Sequence, residues 1–366
     1  MASGPLSPEE TRPEESALRR LLPRLALSLG LGGIFAWLIA RGGVPLIPTL
    51  DDLRRVDGQL LGVYALVLLS MHFVRATRWR FLVAPVKADV PFWQGVLINW
   101  VGFFAIFVLP LRVGELARPA VSKMRLGIPL SVGFGTVALE RVFDGLLTSL
   151  CVVWGLAFLP QLHTDDPIAR SLPYYGWLAV TAFGAAFCGL VLFLWQRELA
   201  KKVVRWTFGL VSKSLADRLS EKVVGIAEGV RSIAHPRLAF GFISESLVYW
   251  GLNATGMWIL ARACGLDLTF GHAAALMGIL AIGVLLPAGP GMFGNFQLAV
   301  LTGLRLYLAE SIVDTAGSTY VFLLYSTQAT LLCVAGIVPL YAMRLRFADL
   351  VRADVSPAPA PAPEPA

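Results

Sequence analysis

Three charged residues, Glu140, Arg141 and Asp144, stand together inside an otherwise apolar segment that begins near Pro129. Helical geometry puts Glu140 and Asp144 on one face, with Arg141 three residues from Asp144. A charge at the middle of a bilayer costs about 2.5–3.5 kcal/mol even on the most lenient scale. These side chains must therefore face a polar cavity or pair with other charges. We predict a headgroup or coupling-ion site here, with an internal salt-bridge network as the alternative.

A second charged group, Arg112, Glu115 and Arg118, precedes the first in the chain. Its members are three residues apart, so they share a face if the segment is helical. Arginine at a membrane boundary binds phosphate through its planar fork of donors, and Gly114 permits a close approach of the backbone. Snorkelling at the interface is the alternative, but a glutamate between two arginines favours a specific network.

The segment Pro287–Gly294 is rich in glycine and proline and should break any helix. Free backbone N–H groups and a helix N-terminus at such a break can hold an anion. The following residues add uncharged donors and acceptors, and a kinked interhelical turn is the alternative. We assign to this candidate site Pro290, Gly291, Gly294, Asn295 and Gln297.

A basic cluster of Arg75, Arg78 and Arg80 surrounds Trp79 at the end of an early apolar run. The preference of cations for the cytoplasmic side of a membrane is a sufficient explanation for such a cluster. We therefore predict that these arginines are an interfacial basic cluster that sets the topology.

The elements that carry these residues are strongly apolar, because 56% of the 366 residues are hydrophobic and only 15% are charged. A soluble domain normally carries about 25% charged residues. Several apolar runs are long enough to cross a hydrocarbon core of about 30 Å, which indicates an integral membrane protein. The net charge of +7 comes from cations between these runs, which fits topology signals and lipid headgroups better than nucleic acid. The four cysteines form no CxxC pair, and we expect no disulfide, metal site or cofactor.

The positions of lysine and arginine predict that both termini are cytoplasmic. The apolar segment Pro91–Pro110 conflicts with that orientation as a plain crossing, because the loop after it is again basic. The apolar arms of the segment 271–308 are each short for a span. We predict that both segments form re-entrant hairpins, which are tolerated only when buried in protein or lining a cavity.

The predicted fold is an all-α, polytopic transmembrane bundle with about six spans and two re-entrant hairpins. Each half has the order span, span, hairpin, span, with opposite starting sides. This is an inverted-topology repeat, an architecture common in transporters. Eight plain spans are the alternative.

Sequence composition also divides the chain. We assign residues 1–18 to a disordered cytoplasmic tail, 19–353 to the membrane domain and 354–366 to a Pro/Ala-rich disordered tail. The half-repeats cover about 19–160 and 173–345. The basic, helix-periodic segment 197–237 predicts amphipathic helices on the cytoplasmic leaflet, with a plain connector as the alternative.

Four stretches, in this order, resemble the lysylphosphatidylglycerol synthase transmembrane-domain family, also called flippase-like membrane proteins. They read Arg75-Ala-Thr-Arg-Trp79, Leu109-Pro-Leu-Arg-Val-Gly-Glu-Leu-Ala-Arg118, Glu140-Arg-Val-Phe-Asp144 and Pro287-Ala-Gly-Pro-Gly-Met-Phe-Gly-Asn-Phe296. The order and spacing of the set are more specific than any single stretch, and the match covers nearly the whole chain between its tails.

The resemblance implies a lipid-handling protein of a bacterial or archaeal-type cell membrane. Such a protein would move an anionic phospholipid or a polyprenyl-phosphate lipid between leaflets. Some members of the family carry a soluble aminoacyltransferase domain, for which we expect no room here, so synthase activity is not carried over. Many members have glutamate near position 297, where this chain has Gln297, and this puts proton or cation coupling at that position in doubt.

Lipid translocation is the first functional hypothesis. A phosphate headgroup would bind Arg112, Arg118 and Arg141. Three carboxylates would orient these arginines, Glu115, Glu140 and Asp144. The chain lacks a GxxxxGK[ST] motif, so we expect passive or ion-coupled transport, with membrane lipids as partners and no nucleic acid. The alternatives are an enzyme of lipid-headgroup or lipid-linked glycan transfer and an accessory subunit for a separate lipid-modifying enzyme.

Overall fold

The computed structural model describes residues 25–35, 47–109, 114–158, 167–195, 229–286 and 289–345, with Pro23, Trp37 and Arg41 as isolated positions. These residues form helices and short turns and contain no strand, so the predicted all-α bundle is confirmed. Arg112, Pro287, both predicted tails and most of the predicted amphipathic segment, up to residue 228, lie outside the described residues.

The helices, in chain order, are α1 (Leu25–Phe35), α2 (Leu50–Arg54), α3 (Gly58–Val83), α4 (Phe92–Val108), α5 (Ala117–Leu126), α6 (Leu130–Phe158), α7 (Pro167–Trp195), α8 (Pro236–Ala263), α9 (Phe270–Gly283), α10 (Asn295–Leu304) and α11 (Glu310–Ala342). By length and apolar composition, α3, α6 and α11 are the helices of the described chain that can cross a membrane. A one-residue interruption at Arg78 divides α3, and a π-helical turn, Val313–Gly317, lies near the start of α11.

Local hydrogen bonds set several helix ends. The Asp57 carboxylate accepts hydrogen bonds from two backbone N–H groups in the first turn of α3, at 2.8 and 3.1 Å. Before α2, the hydroxyl and backbone N–H of Thr49 donate to Asp52 and hold the pKa of that carboxyl below its usual range. Gly127 ends α5 in the left-handed conformation, with φ of +68°. The sequence therefore specifies these boundaries locally.

Helices α4 and α5 form an antiparallel hairpin. The Gln94 side chain, at the start of α4, donates to the Arg125 carbonyl near the end of α5 at 3.4 Å. At the other end of the hairpin, a Cβ on Gly114 would overlap with the carbonyl group of Ala105. The close backbone approach predicted at Gly114 is thus confirmed, and only glycine fits there without a shift of the chain.

The position of this hairpin differs from the expectation that Pro91–Pro110 itself enters and returns. That segment is one helix over most of its length, and the following helix, α5, runs back along it. The return arm is α5, which carries Arg118, Lys123 and Arg125, the basic residues that the sequence predicts in a loop. The prediction placed these basic residues in a loop because cations favour the cytoplasmic side of a membrane. In the structure, an ion pair allows Arg118 to be buried within the return arm.

Helices α9 and α10 form a second antiparallel hairpin. The ring of His272, near the start of α9, stacks on Tyr307 beyond the end of α10, with centroids 4.5 Å apart. At the opposite end, the Asn295 amide donates to the carbonyl groups of Gly283 and Leu286, at 3.1 and 3.0 Å. The arms have 14 and 10 residues. At a rise of about 1.5 Å per residue, neither reaches across a core of about 30 Å.

The long helices pack reciprocally on these hairpins. Helix α6, of the first half, packs along α9, and α11, of the second half, packs along α4. Helices α3 and α8 form the most extensive contact between the halves, and α7 packs on α6. Small residues permit these crossings: a Cβ on Gly336 of α11 would overlap with Phe104 of α4.

Apolar side chains fill the interior and cover the outside. The larger buried cluster lies between α3, α8, α9, α10 and α11, and includes Tyr64, Leu276 and Tyr320. A second cluster surrounds Trp79 between α4, α5 and α6. Large apolar side chains are also exposed on the outer faces, such as Phe158 at 73% and Tyr341 at 87%, as expected for helices that face lipid.

We predict that Gly278→Ala destabilises the protein. A Cβ at this position of α9 would lie 2.5 Å from the Thr148 carbonyl oxygen and 2.7 Å from Cγ2 of Val152, both on α6. Overpacking of this kind costs about 1–3 kcal/mol. Thermal unfolding of the purified protein in detergent should show a lower midpoint than the wild type.

The matched control is Gly251→Ala in α8, where nothing lies within 4 Å of the added Cβ. This variant should be unchanged or slightly more stable, because alanine favours a helix over glycine by about 0.5–1 kcal/mol. Equal midpoints for both variants would contradict a close α6–α9 crossing.

Candidate functional site

A cavity of about 320 Å³ lies at the centre of the bundle, between helices of both halves. Its volume is at the lower end of the range of small-molecule sites, about 300–1,000 Å³. The walls are mainly apolar and aromatic, but four charged side chains also line it, Arg75 of α3, Glu115 of the α4–α5 turn, and Arg141 and Asp144 of α6. The charge that the cavity presents to a ligand depends on which of these four side chains form ion pairs within the protein.

Arg75 and Arg141 are the cations of the cavity. The Arg75 guanidinium lies over the ring of Phe103, 4.0 Å from its centroid, and 5.7 Å from that of Tyr249. The Nε atoms of both arginines are buried and have no hydrogen-bond partner. Among the described residues, no carboxylate forms a salt bridge with either arginine. Both side chains therefore retain donors that a ligand in the cavity can use.

Asp144 lines the cavity but is already neutralised. Both its oxygens accept hydrogen bonds from the Arg78 guanidinium at 2.6 Å, and the Trp250 indole N–H donates to it at 2.9 Å. Arg78 also donates to Ser246 at 3.2 Å, and its side chain is 1% exposed. The prediction of an interfacial cluster does not account for Arg78, because a bidentate pair holds this residue inside the bundle.

Glu140, one helical turn before Asp144 on α6, is also neutralised. Its carboxylate lies 2.6 Å from the Arg118 guanidinium, and both side chains are at most 5% exposed. The contact is an ion pair and not an aligned hydrogen bond, since neither Arg118 Nη2 nor Glu140 Oε2 has a hydrogen-bond partner. Arg118 Nη1 donates to Asn99 of α4 at 3.0 Å. Neither member of the pair lines the cavity, so the pair holds the return arm α5 against α4 and α6.

Arg80 forms a more exposed contact between α3 and α8. Its guanidinium lies 2.6 Å from Glu245, and the Thr77 hydroxyl donates to the same carboxylate at 2.8 Å. The Arg80 side chain is 50% exposed. Of the three predicted interfacial arginines, Arg80 is therefore exposed, Arg78 is buried in an ion pair and Arg75 faces the cavity.

The tip between α9 and α10 contributes less polar surface than predicted. Gly291 lines the cavity, in the left-handed region with φ of +69°. Gly294, with φ of +95°, donates its backbone N–H to the Gln297 side chain at 2.7 Å. The Asn295 amide is used in the hairpin itself, and Pro290 is not part of the cavity wall. The predicted anion donors at this tip thus serve mainly to hold the turn.

The structure brings together only some of the predicted site residues. At the cavity lie Glu115, Arg141, Asp144 and Gly291. Elsewhere lie Arg118, Glu140, Pro290, Gly294, Asn295 and Gln297. Arg75 was predicted to be interfacial, and several polar cavity residues were not predicted, among them His72, Asn253 and Gln328. The spacing of His72 and Arg75, one turn apart in an apolar run, is the signal that places both on one helix face.

Two comparisons with known proteins match this chain. The family described as Lysylphosphatidylglycerol synthase TM region matches residues 24–336. The protein named glycosyltransferase AglD, of Haloferax volcanii, is 26% identical over 273 residues. That alignment covers 66% of this chain, and the chain spans about two fifths of the relative's length, 42%. No solved structure matches the chain significantly.

We predict that Arg118→Met destabilises the protein by about 3–5 kcal/mol, because Glu140 would remain as an uncompensated buried charge. The double variant Arg118→Met, Glu140→Met should recover most of that loss, since buried pairs can be replaced by apolar residues. Unfolding in mixed micelles with increasing denaturing detergent measures the free-energy differences.

Arg80→Met is the matched control, because its ion pair has the same 2.6 Å separation but is half exposed. A pair of that kind contributes about 0–1 kcal/mol. Two results would contradict this prediction: a loss of stability in Arg118→Met no larger than in Arg80→Met, or no recovery in the double variant. Either would mean that Glu140 without Arg118 is not a costly buried charge.

Proposed function

We propose a lipid-translocating function for this chain, which belongs to the Lysylphosphatidylglycerol synthase TM region family. Family membership and the apolar helices identify a membrane protein of lipid-related processes. In our proposal, Arg75 and Arg141 bind the phosphate of an anionic phospholipid or a polyprenyl-phosphate lipid in the central cavity. The observation that carries this proposal is the presence of two guanidinium groups in one cavity without carboxylate partners among the described residues.

The cost of burying charge supports an anionic ligand. Removing an ion from water into a protein interior costs several kcal/mol even after relaxation. The protein offsets this cost for Arg78 and Arg118 with Asp144 and Glu140. A phosphate would offset it for the two cavity arginines, and the planar guanidinium matches phosphate oxygens in a bidentate manner. This assignment replaces Arg118 of the sequence-based hypothesis with Arg75, while Arg112 lies outside the described residues.

The remaining cavity wall supports a lipid rather than a soluble anion. Apolar side chains from several helices face the same space, among them Phe103, Ile106, Leu280, Leu285 and Leu332. Packing of a hydrocarbon chain against these walls would contribute a favourable free energy of about 25 cal/mol for each Å² of apolar surface removed from water. A headgroup phosphate at the arginines, with its first methylene groups against the apolar wall, satisfies both parts of the cavity.

The two hairpins offer a way to alternate access to the cavity. We propose that both are re-entrant, since three of their four arms have 10 to 14 residues. We further propose that the halves are inverted repeats, because α6 packs on the hairpin of the second half and α11 on that of the first. Transporters with this architecture bind substrate between the repeats and rock one against the other. Both termini would be cytoplasmic by the distribution of cations.

A second candidate function is lipid-headgroup or lipid-linked glycan transfer, as an enzyme or as an accessory subunit. The name of the relative, glycosyltransferase AglD, favours it. The engagement of Asp144 and Glu140 by arginines weighs against free acid or base groups at those positions. Sugar transfer from a nucleotide-sugar or lipid-linked donor to a polyprenyl phosphate by the purified protein would favour this candidate.

We predict that Arg75→Gln and Arg141→Gln each slow lipid translocation about tenfold or more. Hydrogen bonds to a charged group contribute about 1.5–3 kcal/mol, and each 1.4 kcal/mol is tenfold in affinity. The measurement uses proteoliposomes with a fluorescent phosphatidylglycerol, whose outer-leaflet fraction is removed by a membrane-impermeant reductant as it appears.

Arg54→Gln is the matched control, because Arg54 is an exposed cation of α2 with a side chain 78% exposed. Its rate should equal that of the wild type at equal amounts of reconstituted protein. Wild-type rates in both cavity variants would contradict the proposed phosphate site, and equal rates in empty and protein-containing vesicles would contradict translocation of this lipid.

A further inference from the structure

We propose that His72, Asn253 and Gln328 form an uncharged subsite beside the two arginines, which binds hydroxyl groups carried by the lipid headgroup. The inference rests on the proposed function, because the phosphate at Arg75 and Arg141 places the headgroup. It deepens that function by naming a substrate class, a lipid phosphate esterified to a polyol or a sugar.

His72 is the first observation that points to a ligand. The residue is 4% exposed, and neither ring nitrogen has a hydrogen-bond partner. It lines the cavity one helical turn before Arg75, so the two side chains share a face of α3. A buried polar group without a partner costs about 1–3 kcal/mol, and a hydroxyl group in the cavity would supply the missing hydrogen bond.

Asn253 and Gln328 bring two amides to the same cavity from two other helices, α8 and α11. No hydrogen bond within the described ranges of the chain uses either side chain, in contrast to Asn99 and Asn295. Each amide offers an acceptor and two donors. Three uncharged polar side chains from three helices therefore line the same cavity as the two arginines.

Asn253 and Gln328 lie next to the arginines and extend the site towards a second pocket. Both also line a small adjoining pocket with Tyr64 and Met71, whereas Arg75 and Arg141 do not. On α8, Asn253 follows Tyr249, the ring near Arg75, by four residues, which is about 6 Å along a helix. This separation suits a phosphate at one end and its hydroxylated substituent at the other.

The charges of the cavity argue against a cationic headgroup. Asp144 is neutralised by Arg78, and Glu115 already has an interaction of its own. An aminoacylated lipid would place an ammonium group near two arginines, and like charges in a dry site repel strongly. The uncharged donors and acceptors, together with Trp250 and Tyr325 in the wall, suit the hydroxyl and C–H faces of glycerol or a sugar.

The test compares pairs of lipids that share charge and differ in hydroxyl groups, together with one cationic lipid. The full-length protein, in phosphatidylcholine nanodiscs, is titrated with short-chain phosphatidylglycerol, phosphatidylpropanol and lysyl-phosphatidylglycerol, and bound lipid is counted by native mass spectrometry. We expect the wild type to bind phosphatidylglycerol about tenfold more tightly than phosphatidylpropanol, as one or two net hydrogen bonds provide. Lysyl-phosphatidylglycerol should bind more weakly than phosphatidylglycerol. The members of a second pair, a polyprenyl hexose phosphate and the propyl ester of the same polyprenyl phosphate, are both phosphodiesters with one negative charge, and this pair distinguishes sugar from glycerol.

Variants separate the two subsites. Asn253→Leu and Gln328→Leu should each remove most of the preference for phosphatidylglycerol and leave the affinity for phosphatidylpropanol unchanged. Arg141→Gln should weaken both lipids by the same factor. Gln59→Leu, an exposed amide at the start of α3, is the control and should change neither.

The outcomes distinguish this inference from the proposed function. If neither lipid pair shows a preference for the hydroxylated member while Arg141→Gln still weakens binding, the subsite is wrong and the phosphate site stands. If tighter binding of lysyl-phosphatidylglycerol than of phosphatidylglycerol is found, the assignment of an uncharged headgroup is overturned. If no lipid binds, or if Arg141→Gln binds as the wild type does, the proposed function itself fails.

Discussion

The neutralisation of two carboxylates of α6 by arginines from other helices is the interaction on which the rest of the structure depends. Asp144 pairs with Arg78 of α3, and Glu140 pairs with Arg118 of α5. A helix with three ionisable groups in an apolar bundle is unfavourable unless most of them are paired. Because these pairs use the two carboxylates, Arg141 remains without a salt bridge in the described structure and faces the cavity. The same pairs join α3 and the return arm α5 to α6.

Glycine and short helices complete this arrangement. The hairpin arms α5, α9 and α10 have 10, 14 and 10 residues, respectively, and their turns need glycine where the backbone approaches closely or takes a positive φ. The arms can remain inside the bundle because a long helix of the other half covers each hairpin. The cavity therefore lies where both halves meet, and side chains from both contribute to its wall. A relative movement of the halves would change every part of the site at once.

Membership of the family places the chain among membrane proteins of lipid-related processes. The side chains of the cavity are the basis on which we propose a class of lipid headgroup. The family description names a lysylated lipid and the relative is named as a glycosyltransferase, but neither name identifies a ligand of this chain. The distribution of charge in the cavity is a more specific guide to the ligand than either name. Two arginines favour phosphate, the neutralised Asp144 disfavours a cation, and the uncharged side chains beside them favour hydroxyl groups.

Hydropathy, spacing and residue type were sufficient to predict an all-α membrane bundle, the helix break near Gly294, the close approach at Gly114 and the need for residues 140–144 to pair with other charges or to face a cavity. These features depend on local geometry or on the cost of burying charge in an apolar segment, which a sequence displays directly. Only the tertiary structure decided which charges neutralise one another. Arg78 and Asp144 are 66 positions apart in the chain, and no periodicity connects them. For that reason Arg75, predicted to be interfacial, faces the cavity, and Arg118, predicted to bind phosphate, is held by a carboxylate.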